Sequence, residues 1–204
     1  MKIKYITFLL SAFGFISCSG TLSTVKREYQ IAKTTALKSD WYFNPNEWRL
    51  QNDTLTGTGG PMHWGVIESK KKLPKNYEID FKINIVKESL FEIMLHIDQE
   101  KYIRTYLYTI DQNIVIGRGA YNKNSDEYSK RGGPTLFKKP MPLGNNKWYA
   151  VKIRVANNQL YFAVNNQTFL ECSIEKNNLN QQGQLGFITN GQAKITQLTI
   201  KTIP

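Results

Sequence analysis

Along Leu90–Thr109 apolar and polar side chains take turns. Phe91, Ile93, Leu95 and Ile97 fall on one parity, and Glu92, Met94 and His96 fall on the other. Beyond Asp98–Lys101, Ile103, Thr105 and Leu107 alternate with Tyr102, Arg104, Tyr106 and Tyr108. Side chains change face at every residue of a strand, so this period of two predicts two strands, each with an apolar face and a face bearing chemistry. Paired as an antiparallel hairpin, they gather a carboxylate, an imidazole, a guanidinium and several phenols on one sheet surface. The connection carries Asp98 and Gln99, which suit a short turn.

The same period recurs through the rest of the chain. Trp48–Gln51 and Thr54–Thr58 flank Asn52-Asp53, a tight-turn pair. Gly57, Gly59, Gly60 and Pro61 then break the pattern before His63–Ser69, and Lys70–Asn76 reads as a charged loop. In Tyr77–Ile85 the odd positions are apolar, and Glu78, Asp80, Lys82 and Asn84 face outward. Asn113–Arg118 follows. Gly119–Lys147 shows no periodicity and is rich in Gly and Pro, so it is expected to be a long binding loop. Trp148–Ala156 and Gln159–Asn165 form a hairpin over Asn157-Asn158, followed by Thr168–Ile174. Gly183–Thr189 and Ala193–Ile203 meet at Asn190-Gly191, a strong turn signal. The alternation slips between Ile195 and Leu198, which predicts a bulge at Thr196-Gln197. Only Ser173–Asn178 invites a short helix. About a dozen short strands predict an all-β fold, a two-sheet antiparallel jelly-roll β-sandwich spanning 29–204.

The first 18 residues belong to another class. Lys2 and Lys4 precede an apolar run, Tyr5–Ile16, and then Ser17-Cys18. This is the pattern of a bacterial secretion signal. Phe15-Ile16-Ser17-Cys18 resembles a lipobox, with Phe15 where Leu is usual, so Cys18 is the expected lipidation site and 19–28 a tether to a membrane. The expected location is the cell envelope, either periplasmic or on the outer-membrane surface. Cys18 and Cys172 are the two cysteines. With Cys18 lipidated no disulfide forms, and Cys172, on the apolar parity of its run, reads as a core residue. The formal charge is +11, and loss of Lys2 and Lys4 leaves 25 basic against 16 acidic residues, or +9. Such a charge suits an acidic polysaccharide or oligosaccharide, or an anionic membrane surface. Nucleic acid is not an expected partner, because the chain is exported and its lysines are scattered.

Trp148-Tyr149-Ala150-Val151-Lys152-Ile153-Arg154-Val155, with Leu160-Tyr161-Phe162-Ala163-Val164-Asn165, resembles the W-x-x-V-x-I-x-V … L-x-x-x-V-N/D-G hairpin of concanavalin A-like lectin/glucanase domains. Gly183–Thr189 and Ala193-Lys194-Ile195 are similar to their closing strands. Trp48–Gly57 looks like the W-x-x-x-D/N-G-x-L opening of the 3-keto-disaccharide hydrolase branch, and Tyr77–Phe81 like the strand after it. The resemblance covers Trp41–Lys201. It departs at Trp41-Tyr42-Phe43-Asn44-Pro45, where the branch has L-F-N-G-x-x-L-x-x-W, and at Asn166, where a Gly is common. It implies glycan binding or glycoside cleavage at the envelope, and fold alone does not choose between them.

The residues leave the same choice. Glu78-Ile79-Asp80-Phe81-Lys82 approaches the E-x-D-x-E motif of laminarinase-type glycosidases, but Lys82 stands where the last carboxylate is required. Glu92 and His96 are the catalytic acid/base candidates, with Arg104 holding a substrate carboxylate or steadying developing charge. Tyr102, Tyr106, Tyr108, Trp64 and His63 are candidate ligand-binding groups, because sugars stack their apolar ring faces on aromatics. Arg118, Tyr121 and Arg131 begin or lie in the long loop and are candidates to close over a ligand. No His-x-His or His-x-x-x-His spacing supports a metal, and no cofactor is expected. The expectation is a protein that binds, and in one reading cleaves, a carbohydrate on the concave sheet face. The alternative is a non-catalytic glycan-binding or envelope interaction protein.

Overall fold

The alternating segments pair in space as their parity demands. The computed structural model describes residues 28–30, 34–60, 63–88, 90–121 and 132–204. The expected leader with Cys18, most of the expected tether and Arg131 lie outside the described residues. The elements are β1 (Glu28–Gln30), α1 (Thr34–Asp40), β2 (Trp41–Phe43), β3 (Trp48–Gln51), β4 (Thr54–Thr58), β5 (Gly65–Lys72), β6 (Tyr77–Lys87) and β7 (Leu90–Asp98). They continue with β8 (Lys101–Tyr108), β9 (Asn113–Ala120), β10 (Thr135–Pro140), β11 (Trp148–Ala156), β12 (Gln159–Val164), β13 (Thr168–Ser173), β14 (Gln184–Thr189) and β15 (Gln192–Thr202).

These strands form two antiparallel sheets packed face to face as a jelly-roll sandwich. One runs β13-β12-β11-β6-β15-β4-β3, with β1 also pairing β15, and the other runs β10-β9-β8-β7-β14-β5-β2. Between them Tyr77, Ile79, Phe81, Ile83 and Phe162 meet Phe91, Ile93, Ile103, Leu107 and Phe187, all buried. Phe187 is the hub of this layer. Its ring centroid lies 5.6 Å from Phe91, 5.7 Å from Phe81, 6.0 Å from Trp41 and 6.5 Å from Trp48, so it joins side chains from both sheets. Cys172 sits in the same core, where burial, reinforced by the charge of Glu171, pushes its thiol up to about 11.

The expected bulge is present: the β15–β6 register shifts between Thr196 and Thr199, and Gln197 has φ 57°. Three expectations are corrected. Gly119–Lys147 is not all loop, because Thr135–Pro140 pairs with β9. The strand was hidden because its register shifts between Thr135 and Phe137, leaving Leu136 and Phe137 both half-buried with no alternation. Its terminal Pro140 is tolerated at a sheet edge, where no ladder partner needs the missing N–H. The short helix is Thr34–Asp40, anchored by buried Leu37, while the segment expected to be helical is the end of β13 at Ser173 followed by turn over 174–178, with Asn178 at φ 50°. The charged loop is shorter than expected, since β5 runs on to Lys72.

Phe187→Ala should cost about 3–5 kcal/mol, the usual range for emptying a buried aromatic site. The measurement is the shift in urea midpoint at constant m-value. A loss under about 1 kcal/mol would show that the two sheets do not depend on this cluster.

Candidate functional site

The sheet containing β7 and β8 has apolar side chains on both faces. Parity sends Phe91, Ile93, Leu95, Ile103 and Leu107 into the sandwich. On the outer face it leaves Leu90, Met94, Tyr102 and Tyr106, joined by Trp64, Val115, Tyr121 and Ile188 in a second buried cluster. Strand register arranges this face in rows. One row is Val66, Ile188, Glu92, Tyr106 and Val115, and the next is Glu68, Gly186, Met94, Arg104 and Gly117.

Polar groups are set into the outer cluster. Glu92 is fully buried, and its Oε1 accepts from Tyr102 Oη at 2.5 Å. Its Oε2 accepts from Arg104 Nε at 2.5 Å. Arg104 Nη1 donates to the Gly133 carbonyl at 3.0 Å, and its guanidinium carbon lies 4.4 Å from the Tyr106 ring centroid. The Arg104 side chain keeps 13% of its surface exposed. Burial alone would pull the Arg104 pKa down, but the Glu92 charge and hydrogen bond, followed by Tyr106 and Tyr102, leave it raised. The result is a cation fixed over an aromatic ring, a preorganised platform for a hydroxyl or carboxylate ligand. Both Glu92 oxygens are committed to protein donors away from solvent. That arrangement positions Arg104 and does not suit an acid/base role for Glu92.

His96 departs from the expected face. The β7–β8 register shifts between Leu95 and Asp98, and His96 adopts φ 55°, so the parity slips by one. Ile97 therefore joins the outer cluster, and the His96 ring turns into the sandwich at 1% exposure. Nδ1 lies 2.7 Å from the Asn180 carbonyl, which can only accept, so Nδ1 carries the proton. Nε2 then accepts from the Tyr77 hydroxyl at 3.0 Å. Asn180 Nδ2 donates back to the His96 carbonyl at 3.0 Å and to the Lys101 carbonyl at 2.9 Å, clamping the bulge. Burial lowers the His96 pKa against the smaller opposing effect of the Asn180 hydrogen bond, and burial also raises the Tyr77 phenol. His96 is thus a structural group separated by the sheet from Arg104.

The remaining candidates divide. Tyr108 packs edge-on against Tyr106 at 6.3 Å, and Tyr121 packs edge-on against Tyr102 at 5.9 Å. Trp64 is buried within the cluster, not at an open rim. His63 is exposed, with Nε2 2.6 Å from Glu47 Oε1, and it does not join this cluster. Arg118 Nη2 donates to the Asn177 carbonyl at 2.8 Å. It lines an open pocket of about 280 Å³ shared with Tyr102, Gly132, Gly133, Asn178 and Asn180, next to the Arg104–Gly133 contact. One carboxylate escaped the sequence reading: Glu68, 7% exposed, lies on the same face as Glu92. The two Cα atoms are about 12 Å apart from strand spacing and rise. The parity of Val66 and Glu68 against Ile67 carries the signal. Among the described residues no three His, Cys, Asp or Glu side chains gather as metal ligands.

No protein-family model and no curated protein matches the chain. Solved structures match its fold. A carbohydrate binding module, CBM66 from Bacillus subtilis, superposes with TM-score 0.64 at 12% identity, covering 80% of this chain and 96% of the module. A Bacillus subtilis protein of unknown function with a galectin-like fold gives 0.61 at 10% identity, covering 87% and 96%. An alginate lyase of polysaccharide lyase family 7 gives 0.53 at 9% identity, covering 79% and 85%. The fold is therefore a two-sheet jelly roll of the kind these structures share.

His96 makes stability depend on pH with a defined sign. Its folded pKa is below the unfolded value of about 6.5, so below that pH the unfolded chain takes up a proton that the folded chain refuses. The stabilisation is complete above about 6.5 and is lost as pH falls from there toward the folded pKa. The urea midpoint should fall between pH 7.5 and 5.5 in the wild type and fall less in His96→Asn, since Asn tolerates the same positive φ. Equal slopes would mean that His96 titrates alike in both states.

Proposed function

We propose that this chain is an exported, lipid-anchored envelope protein that binds a carbohydrate over the Arg104–Tyr106 face and the adjoining Arg118–Gly133 pocket, with an acidic glycan as its preferred ligand. The observation that carries this reading is the guanidinium of Arg104, held over Tyr106 by Glu92 and bonded to Gly133 of the pocket wall. A sugar offers hydroxyls or carboxylates to such a cation and an apolar ring face to Tyr108, half-buried at the edge of the cluster. The net charge of the chain favours an anionic polymer. The neighbouring folds named above include a carbohydrate binding module and an alginate lyase, and a shared fold is consistent with sugar recognition here. The Ser17-Cys18 ending of the leader supports the anchor.

Glycan cleavage is the second reading, prompted by a second buried carboxylate, Glu68, on the outer face. With Glu92 committed to Arg104 and Tyr102, Glu68 is the better acid candidate. Sugar release from a bound glycan, abolished in Glu68→Gln, is the outcome this reading requires.

Arg104→Lys keeps a cation for Glu92 and removes the planar fork, so it should weaken binding to the best ligand on a glycan array about 10-fold or more. Unchanged binding would remove Arg104 from the site. For the anchor, fatty-acid labelling of the wild type should disappear in Cys18→Ala, and equal labelling of the two would exclude lipidation at Cys18.

A further inference from the structure

The opposite side of the molecule carries a second surface that leaves large aromatic side chains in solvent. On the outer face of the other sheet, Trp148 is 47% exposed and Phe169 is 44% exposed. Phe169 stacks on Tyr161 at 5.5 Å between ring centroids. Two open hollows lie beside these aromatics. One, of about 440 Å³, is lined by Trp148, Lys82, Ala150, Asn165 and Thr196. The other, of about 340 Å³, is lined by Tyr161, Arg154, Lys152, Glu78 and Glu171.

Register explains why the two hollows align. Trp148, Ala150, Lys152 and Arg154 share the outward parity of β11, and Ala163 and Phe169 lie directly across β12 and β13 from Lys152. The small residues Ala150 and Ala163 keep the middle of this path low. Four residues of β11 and two strand spacings place Trp148 about 16 Å from Phe169. That separation fits two stacking platforms under one extended chain and is too wide for one small molecule.

The charges of this face select the occupant. Lys152 is neutralised by Glu78 at 3.1 Å and Asp80 at 3.0 Å. Lys82, Arg154 and Lys194 make no ion pair among the described residues, Glu171 lines the hollow beside Arg154, and Glu28 of β1 lies opposite Lys201 of β15 in register. Lys139 also places its ammonium 4.6 Å from the Phe169 centroid, so a cation waits at that platform. Asn84, opposite Trp148 in register, is nine-tenths buried, and its Oδ1 finds no donor among the described residues. Aromatics with cations beside them, Lys82 by Trp148 and Arg154 by Tyr161, fit a linear polymer whose sugar rings carry carboxylates.

From this we infer that the outer face of β11, β12 and β13 is a second binding surface for a polyanionic glycan chain, on the side of the sandwich opposite Arg104. It rests on the carbohydrate-binding reading only in the class of ligand, since its residues are separate. Two surfaces on one molecule engage a long polymer together and raise its affinity through effective concentration, while a short oligomer reaches only one.

The test compares the full chain with the double variant Trp148→Ala, Phe169→Ala, using alginate polymer and alginate tetrasaccharide as probes. Both side chains are exposed, so circular dichroism and the melting curve should match the wild type. The polymer Kd should rise about 10-fold or more, and any tetrasaccharide affinity lost in Arg104→Lys should persist in the double variant. An unchanged polymer Kd overturns the inference, as does a wild type that binds no polymer. A wild-type dimer that the double variant dissolves also overturns it, because the face would then be an interface between copies. If the double variant loses the polymer while Arg104→Lys keeps it, this surface stands and the Arg104 site falls.

Discussion

The ion pair between Glu92 and Arg104 sits where water barely reaches, and buried charges persist there only when their lone pairs and protons find partners. Here each Glu92 oxygen has a donor, and Arg104 keeps further N–H groups for the 13% of its side chain that stays exposed. Glu92 takes Tyr102 on one oxygen and Arg104 on the other, and Arg104 adds the Gly133 carbonyl and the Tyr106 ring. Removing one member of such a pair commonly costs about 3–5 kcal/mol, because its partner is left charged and buried. The pair therefore fixes more than a ligand platform. Through Gly133 it also ties the chain after the long connection to the face of β8.

That arrangement depends on the parity of β7, and the bulge at His96 marks where the parity ends. Up to Leu95 the strand feeds the sandwich with odd residues and the outer cluster with even ones. One inserted residue reverses this, and the ring that would have stood beside Arg104 instead bonds Tyr77 and Asn180. The exchange puts apolar Ile97 against Tyr102 and closes the end of the outer cluster. A histidine held this way supports the fold and has no route to a ligand on the outer face.

Two layers of chemistry follow from two sheets. The sheet containing β7 and β8 buries its charges in a closed network with a pocket at one edge. The sheet containing β6 and β11 leaves its charges in solvent, between aromatics too exposed to be core. The E-x-D pair of β6 illustrates the difference: Glu78 and Asp80 hold Lys152 on an open surface, and Lys82 stands next on that face of the strand.

Much of this was legible in the chain itself, because a period of two is a local property. Alternation through Tyr77–Ile85, Leu90–Leu95 and Tyr102–Tyr108 determined the strands and which side chains share a face. The broken alternation at Thr196-Gln197 determined a bulge, and the apolar parity of Cys172 determined its burial. The β10 strand and the His96 bulge were not legible. In the first, two adjacent half-buried residues erase the period. In the second, the inserted residue leaves the apolar pattern intact, and only Asn180, 84 residues away, shows that the ring has turned. Nor could the chain show that Glu68 joins Glu92, since a strand distant in sequence must pair with β14 before the two share a surface. Local periodicity decided which way each strand faces. The pairing of distant strands, and the hydrogen bonds that pin their irregularities, decided what each face holds.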